Sequence, residues 1–399
     1  MTKNNITNNR WLLPQGIEEA LPIEAARLET LRRKLFDLYS GWGYLFVMPP
    51  MIEFIDSLLT GTGHDLDLQT FKLIDQLTGR SMGLRADMTP QVARIDAHQM
   101  KSDAPNRLFY MGTVLHTMAD GFGSSRSPVQ VGAELYGHDG IESDVEILCL
   151  MVETLRASGL DEISIDVGHV GIYRGLAKQA GFNEEQEAIL FEMMQRKAIP
   201  EIQAFLSQQS IDAKLVDMLN ALPELHGGEN CLQQAQQVFA GADSSVKNAL
   251  NYLQQAVTQF KQRVGDIDIH FDLSELRGYH YHTGMLFAAY TPGEGREIAR
   301  GGRYDDIGKV FGRARPATGF STDIKTLLSL STGETPVAAD KNAILAPIDD
   351  DAELWSYINE LRSQGETVIQ ALPGQKADAA NIACNRTLQK VSGKWQVSH

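Results

Sequence analysis

The chain is short of cysteine, of basic residues and of long apolar runs. Its three cysteines, Cys149, Cys231 and Cys384, stand far apart among 399 residues. This spacing excludes a CxxC site and a disulfide framework, and the odd count suits a reducing cytoplasm. No apolar run approaches the roughly 18 residues of a spanning helix, so no membrane segment is expected. The opening residues, MTKNNITNNR, are polar and lack an apolar leader core, so they read as a frayed tail. Basic residues number 36 against 51 acidic ones, a net charge of -15. Nonspecific affinity for nucleic acid rests on neutralising phosphates, so the expected partner is a small molecule or a protein.

Several catalytic signatures are also missing. There is no GxxxxGK[ST] phosphate loop, no HExxH zinc motif and no GxSxG elbow. The acidic run Asp349–Asp351 lacks the glycines of a phosphoribosyl-binding turn and reads as the cap of a helix beginning at residue 352. His280 and His282 lie two apart in a strand-like run, which puts both on one face. A third metal ligand is not evident, and no metal site is assigned.

What is present reads as an α+β chain. Leu28, Leu31, Leu35 and Leu38 fall on one helical face, predicting a helix over 22–40. Strand-like runs follow, with a hairpin turning at Gly79. TPQVARIDAHQM predicts a helix, RLFYMGTVLHT and QVGAELYG predict strands, and a strong helix starts near residue 144. Residues 175–262 are rich in Gln, Ala and Leu and read as a helical insertion. Strands return at DIDIHFDLSE, YHTGMLFAAYT and EIARGG, and FSTDIKTLLSL reads as a closing helix. The expected organisation is a core over 1–330, a linker at 331–340 and a small α/β domain over 341–399. In that domain TVIQALPG is the second strand and KADAANIACNRTLQKV the last helix.

Six segments carry a family resemblance: LRADMTPQVAR, RLFYMGTVLHT, VQVGAELYG, LRGYHYHTGMLFAAY, GGRYDDI and GFSTDIKTLL. In this order and spacing they resemble the catalytic core of histidyl-tRNA synthetases over roughly residues 11–330. The resemblance implies a class II aminoacyl-tRNA synthetase-like antiparallel sheet flanked by helices, and a dimer. It assigns Asp87, Thr89, Gln130, Glu134, Arg277, Tyr279, Tyr281 and His282 to a histidine-pocket-like site, with His282 where a tyrosine is common. Acidic groups suit the ligand's ammonium, and imidazole needs a partner on each nitrogen. Arg300 and Arg303, with Arg313 and Arg315, either hold a phosphate or balance nearby acids.

The adenylating residues are a different matter. Where the family has an arginine and a glutamate for ATP, the chain reads Val114-Leu115-His116-Thr117. Near the third motif, Asp323-Ile324-Lys325 offers only a lysine, without the planar fork of arginine. The C-terminal domain is shorter than the anticodon-binding domain of a synthetase. A core that keeps a histidine pocket and loses ATP activation is similar to the regulatory subunit family of ATP phosphoribosyltransferase, a synthetase paralogue. That likeness implies a cytoplasmic, non-catalytic activator working with a short catalytic subunit in a hetero-octamer. The complex would join ATP to phosphoribosyl pyrophosphate in the first step of histidine biosynthesis, under feedback by histidine. No cofactor is expected in this chain, and magnesium belongs to the catalytic partner. No nucleic acid and no membrane are expected as partners. The alternatives are a divergent histidyl-tRNA synthetase-like enzyme and a histidine-sensing interaction protein.

Overall fold

The computed structural model describes residues 11–60, 64–119, 125–276, 278–279, 281–331, 343–374 and 384–399. Arg277, His280, most of the expected linker and the expected tail at 1–10 lie outside the described residues. The chain divides into two compact units. One holds residues 31–331 with the residues before 20, and the other holds 20–30 with the residues from 343 onward.

Helix α1 (Pro22–Gly41) starts on its proline and buries Leu31, Leu35 and Tyr39, spaced by four as one helical face requires. Strands β1 (Leu45–Phe46) and β2 (Ile52–Phe54) follow, then short helices α2 (Ile55–Leu58) and α3 (His64–Gln69). Strands β3 (Lys72–Ile74) and β4 (Ser81–Leu84) form the expected hairpin and make a three-stranded sheet with β2. Gly79 in its turn has φ +71°, a value that glycine adopts without Cβ strain. Helix α4 (Thr89–Ile95) carries Pro90 in its first turn, where the missing N–H costs nothing.

Strands β5 (Asn106–Thr113) and β6 (Val129–Tyr136) then enter the main sheet. Helix α5 (Ile141–Ala157) and strand β7 (Ser164–His169) lead into the helical stretch. That stretch comprises α6 (Val170–Gln179), α7 (Glu184–Gln195), α8 (Ile199–Ser207), α9 (Ala213–Ala221), α10 (Asn230–Val238) and α11 (Ser244–Val264), with a two-residue strand β8 (His226–Gly227). Strands β9 (Asp268–Asp272), β10 (Met285–Tyr290), β11 (Ala299–Arg303) and β12 (Ala317–Asp323) complete the nine-stranded sheet, ordered β1-β5-β6-β12-β11-β10-β7-β9-β8. Its central pairings are antiparallel.

Helix α12 (Ile324–Leu330) follows β12 directly. The segment expected to be wholly helical from Phe320 therefore continues β12 to Asp323 first. Asp323 ends the strand because its carboxylate caps the helix, accepting from Lys325 and Thr326 N–H at 3.1 and 3.3 Å.

The second unit has a four-stranded sheet, β14-β13-β15-β16, built from β13 (Ala343–Ala346), β14 (Val368–Gln370), β15 (Cys384–Val391) and β16 (Lys394–Ser398). Helix α13 (Ala352–Ser363) packs Leu354, Ile358 and Leu361 against Ile344, Val368 and Leu388. Asp351 caps this helix by accepting from Glu353 N–H at 2.9 Å, as the acidic run suggested. One expectation is overturned here. Residues 384–391 form β15 rather than the end of a helix, and 375–383 lie outside the described residues. Ser392 and Gly393 have φ +52° and +82°, the left-handed pair that closes a two-residue hairpin. Pairing with β16 then buries Leu388 beside Trp395 and Val397, which a helix would not do.

Candidate functional site

Five of the resemblance residues, Asp87, Thr89, Gln130, Glu134 and Tyr281, meet on one face of the main sheet. Along β6, Gln130, Gly132 and Glu134 alternate onto the same side. Gln130 reaches back to the start of α4. Its Oε1 accepts from Met88 N–H at 3.0 Å, and its Nε2 donates to Asp87 Oδ1 at 2.8 Å. The same Asp87 oxygen accepts from Thr89 N–H at 3.0 Å. Gln130 and Asp87 thus fix each other's orientation.

Glu134 is fully buried, and two tyrosines donate to it. Tyr110 on β5 gives its hydroxyl hydrogen to Oε1 at 2.9 Å, and Tyr304, just beyond β11, bonds Oε2. Thr89 shares a 2.9 Å hydrogen bond with the Tyr110 hydroxyl, which ties the α4 group to the Glu134 group. Tyr110 reaches across because Gly132 has no side chain, and a Cβ there would strike the tyrosine hydroxyl. Burial pushes the Glu134 carboxyl up to about 8. Hydrogen bonds from Tyr304 and Tyr110 lower it, while Asp87 raises it further.

Tyr281 covers this layer, stacked on Tyr304 with ring centres 5.0 Å apart and 26° between planes. Its hydroxyl is buried without a hydrogen-bond partner. Such an orphan costs roughly 1–3 kcal/mol and is suited to a ligand bearing donors and acceptors.

Tyr279 and Tyr281 stand in a turn and not in a strand; His280, and with it the face it was expected to share with His282, lies outside the described residues. Tyr281 and His282 N–H both donate to Gly278 O, and Gly278 has φ +68°. The tyrosines therefore diverge. Tyr279 points to the helical stretch, where its hydroxyl bonds Glu187 on α7 and Arg174 lies 4.5 Å over its ring. His282 sits against Gly302, where a Cβ would come within 2.8 Å of its ring. Arg277 lies outside the described residues.

The arginines separate likewise. Arg303 is buried with its fork on Asp144, at 3.1 Å from Nε and 2.9 Å from Nη2, and with further bonds to His138 O and Ser143 Oγ. Arg315 is buried on Asp96 at 3.1 Å. Arg300 is exposed and meets Glu297 at 3.2 Å.

The stretches that the resemblance matches to the ATP-handling motifs make hydrogen bonds within the chain. His116 Nε2 lies 2.9 Å from Ala86 O, and Thr117 Oγ1 donates to Leu68 O at 2.6 Å. Lys325 Nζ reaches Ser127 Oγ at 3.4 Å. Asp323, already the cap of α12, also accepts from Val129 N–H at 2.8 Å. The electropositive end of α12 therefore already faces a carboxylate of this chain.

Sequence reasoning missed Tyr110 and Tyr304. Both sit inside motif segments, but no spacing rule joins residues 110, 134 and 304. Only the register of the sheet does.

The model of histidyl-tRNA synthetases matches residues 16–327, and that of the HisZ C-terminal domain, from an ATP phosphoribosyltransferase subunit, matches 341–398. The chain is 60% identical to an ATP phosphoribosyltransferase regulatory subunit of Thioalkalivibrio sulfidiphilus, over 98% of this chain and 99% of that one. It is 54% identical to one from Methylococcus capsulatus, over 98% and 96%. A crystal structure from Bacillus halodurans, described as an ATP phosphoribosyltransferase regulatory subunit/histidyl-tRNA synthetase, superimposes with TM-score 0.81 at 26% identity, covering 92% of this chain and 95% of that one. Histidyl-tRNA synthetase from Nostoc shares the fold at TM-score 0.74 and 18% identity, over 95% and 91%. With matches at this identity over its whole length, the chain belongs to the HisZ family of ATP phosphoribosyltransferase regulatory subunits, paralogues of histidyl-tRNA synthetase.

Proposed function

We propose that this chain is the non-catalytic regulatory and activating subunit that works with a short catalytic subunit in the first step of histidine biosynthesis. One observation carries the reading. The network Asp87–Gln130 and Glu134–Tyr110–Tyr304 is formed, while the stretch Val114-Leu115-His116-Thr117 carries neither the arginine nor the glutamate of a nucleotide clamp. Transition states in which charge develops on phosphate oxygens depend on cationic clamps of that kind. Histidine is the proposed ligand. Its imidazole and ammonium would engage Glu134, Gln130, Asp87 and the Tyr281 hydroxyl.

Regulation then follows from linkage. Tyr281 fills the space over Glu134, so histidine entry requires the turn at Gly278–His282 to move. If partner binding favours one position of that turn and histidine the other, the two ligands oppose each other reciprocally, typically by about 1–3 kcal/mol. Self-association as a dimer within the complex suits the exposed apolar side chains of the three-stranded sheet and its flanks, among them Met48, Ile52, Ile74 and Leu77.

The test is co-purification with the short catalytic subunit, together with histidine-dependent exchange of pyrophosphate into ATP by this chain alone. Stable co-elution and no exchange are expected. Exchange above background would return the synthetase-like reading, and histidine binding without any such partner would favour the sensor.

A further inference from the structure

A cleft of about 360 Å³ opens between α6 and α11, on residues that the histidine-pocket reading does not use. Ligand sites begin near this size, at roughly 300 Å³. The chain carries 51 acidic residues against 36 basic ones, yet no Asp or Glu lines this cleft. Arg174 and Lys178, one helical turn apart on α6, supply two positive charges. Ser245 and Asn248 on α11 add a hydroxyl and an amide at the opposite wall.

The floor is the line along which α6 packs closely on α11. Gly171 and Gly175 stand on the α6 side, and a Cβ on Gly175 would come within 2.6 Å of Val246 Cγ2. His169 lies at the inner end, where its Nδ1 accepts from Gly171 N–H at 3.0 Å. That bond leaves the ring proton on Nε2 as a further donor. Burial pushes the His169 imidazole down to about 4, and the charges of Arg303 and Arg174 push the same way. The ring is therefore neutral at pH 7 and sits in a positive field. Arg174 spends one amino group on Tyr279 O at 2.7 Å, and a guanidinium has five N–H donors in all. Lys178 is exposed and has no ion-pair partner among the described residues.

We propose that the α6–α11 cleft is a binding site for a small phosphate-bearing anion, held by Arg174 and Lys178 with donors from Ser245, Asn248 and His169. The chemistry is shared by a free inorganic anion and by the phosphate of a small sugar phosphate. The site shares no lining residue with the histidine pocket.

Calorimetry on the full chain at matched ionic strength tests it, with inorganic pyrophosphate and ribose 5-phosphate as probes. Saturable binding of at least one is expected. Lys178→Glu should weaken it about ten-fold or more, the scale of one lost hydrogen bond to a charged group. Lys247→Glu makes the same charge change on α11 beside the cleft, without a lining contact, and should weaken binding clearly less than Lys178→Glu. Asn248→Trp, at an exposed position on the rim, should block entry. Binding of pyrophosphate alone assigns the free anion, and equal or tighter binding of ribose 5-phosphate assigns a sugar phosphate. No saturable binding of either probe, or equal losses in Lys178→Glu and Lys247→Glu, overturns the proposal.

Discussion

Glu134 on β6 and Gly319 on β12 are paired across the main sheet, and the Glu134 carboxyl occupies the volume that a β-carbon on Gly319 would fill. The buried acid at the centre of the candidate site thus depends on the absence of a side chain on the neighbouring strand.

Gly319→Ala should accordingly expel the carboxyl from its two tyrosines. Overpacking of this kind costs roughly 1–3 kcal/mol, and urea unfolding measures it. Histidine binding should fall with it. Unchanged stability and binding would mean that Glu134 has another place to go.

The Glu134 carboxyl makes a prediction about pH. Its folded value, about 8, lies above its ordinary value of 4.5. Between these the folded protein holds a proton that the unfolded chain releases. The contribution is therefore complete below 4.5 and is lost as pH rises through 8. Glu134→Gln removes this slope. The difference in urea midpoint between the two proteins should favour the variant increasingly from about pH 5 to about pH 8, and then level off. A constant difference across that range would contradict the buried, protonated acid.

The two tyrosines of the turn should separate experimentally. Tyr281→Phe removes a buried hydroxyl that has no partner, so stability should hold or rise by up to about 1 kcal/mol. Histidine affinity should nevertheless drop. Tyr279→Phe loses the bond to Glu187, costing about 1 kcal/mol, with histidine affinity nearly unchanged. Calorimetry and thermal unfolding of both variants give the comparison.

Arg303 and Asp144 form a buried pair, and Asp305, at 3.2 Å, is the arginine's second carboxylate. Asp144→Asn should cost up to about 3–5 kcal/mol, because the buried guanidinium loses the nearer of its two carboxylates. Denaturant unfolding reads this directly. A loss below about 1 kcal/mol would mean that water reaches the arginine.

Much of this was legible in the sequence, for identifiable reasons. The hairpin at Gly79, the helix starting at Pro22 and the cap at Asp351 each follow from local chemistry within four residues. Gln130 and Glu134 share a face because strand alternation puts them there. Legibility failed where tertiary pairing decides. Residues 384–391 have helix-compatible composition, and only the Ser392-Gly393 pair beyond them signals a hairpin. Tyr279 and Tyr281 diverge because Gly278 starts a turn that periodicity cannot register. Tyr304 meets Glu134 across 170 residues of sequence, a distance at which no local rule operates.

The central claim is activation of a partner. The most direct measurement is the rate of phosphoribosyl-ATP formation by the short catalytic subunit from the same genome, with and without this chain. The account predicts a large rise on adding the chain, suppression of that rise by histidine, and loss of the suppression in Glu134→Gln. No rise with a verified active partner, and no co-elution of the two proteins, would contradict it.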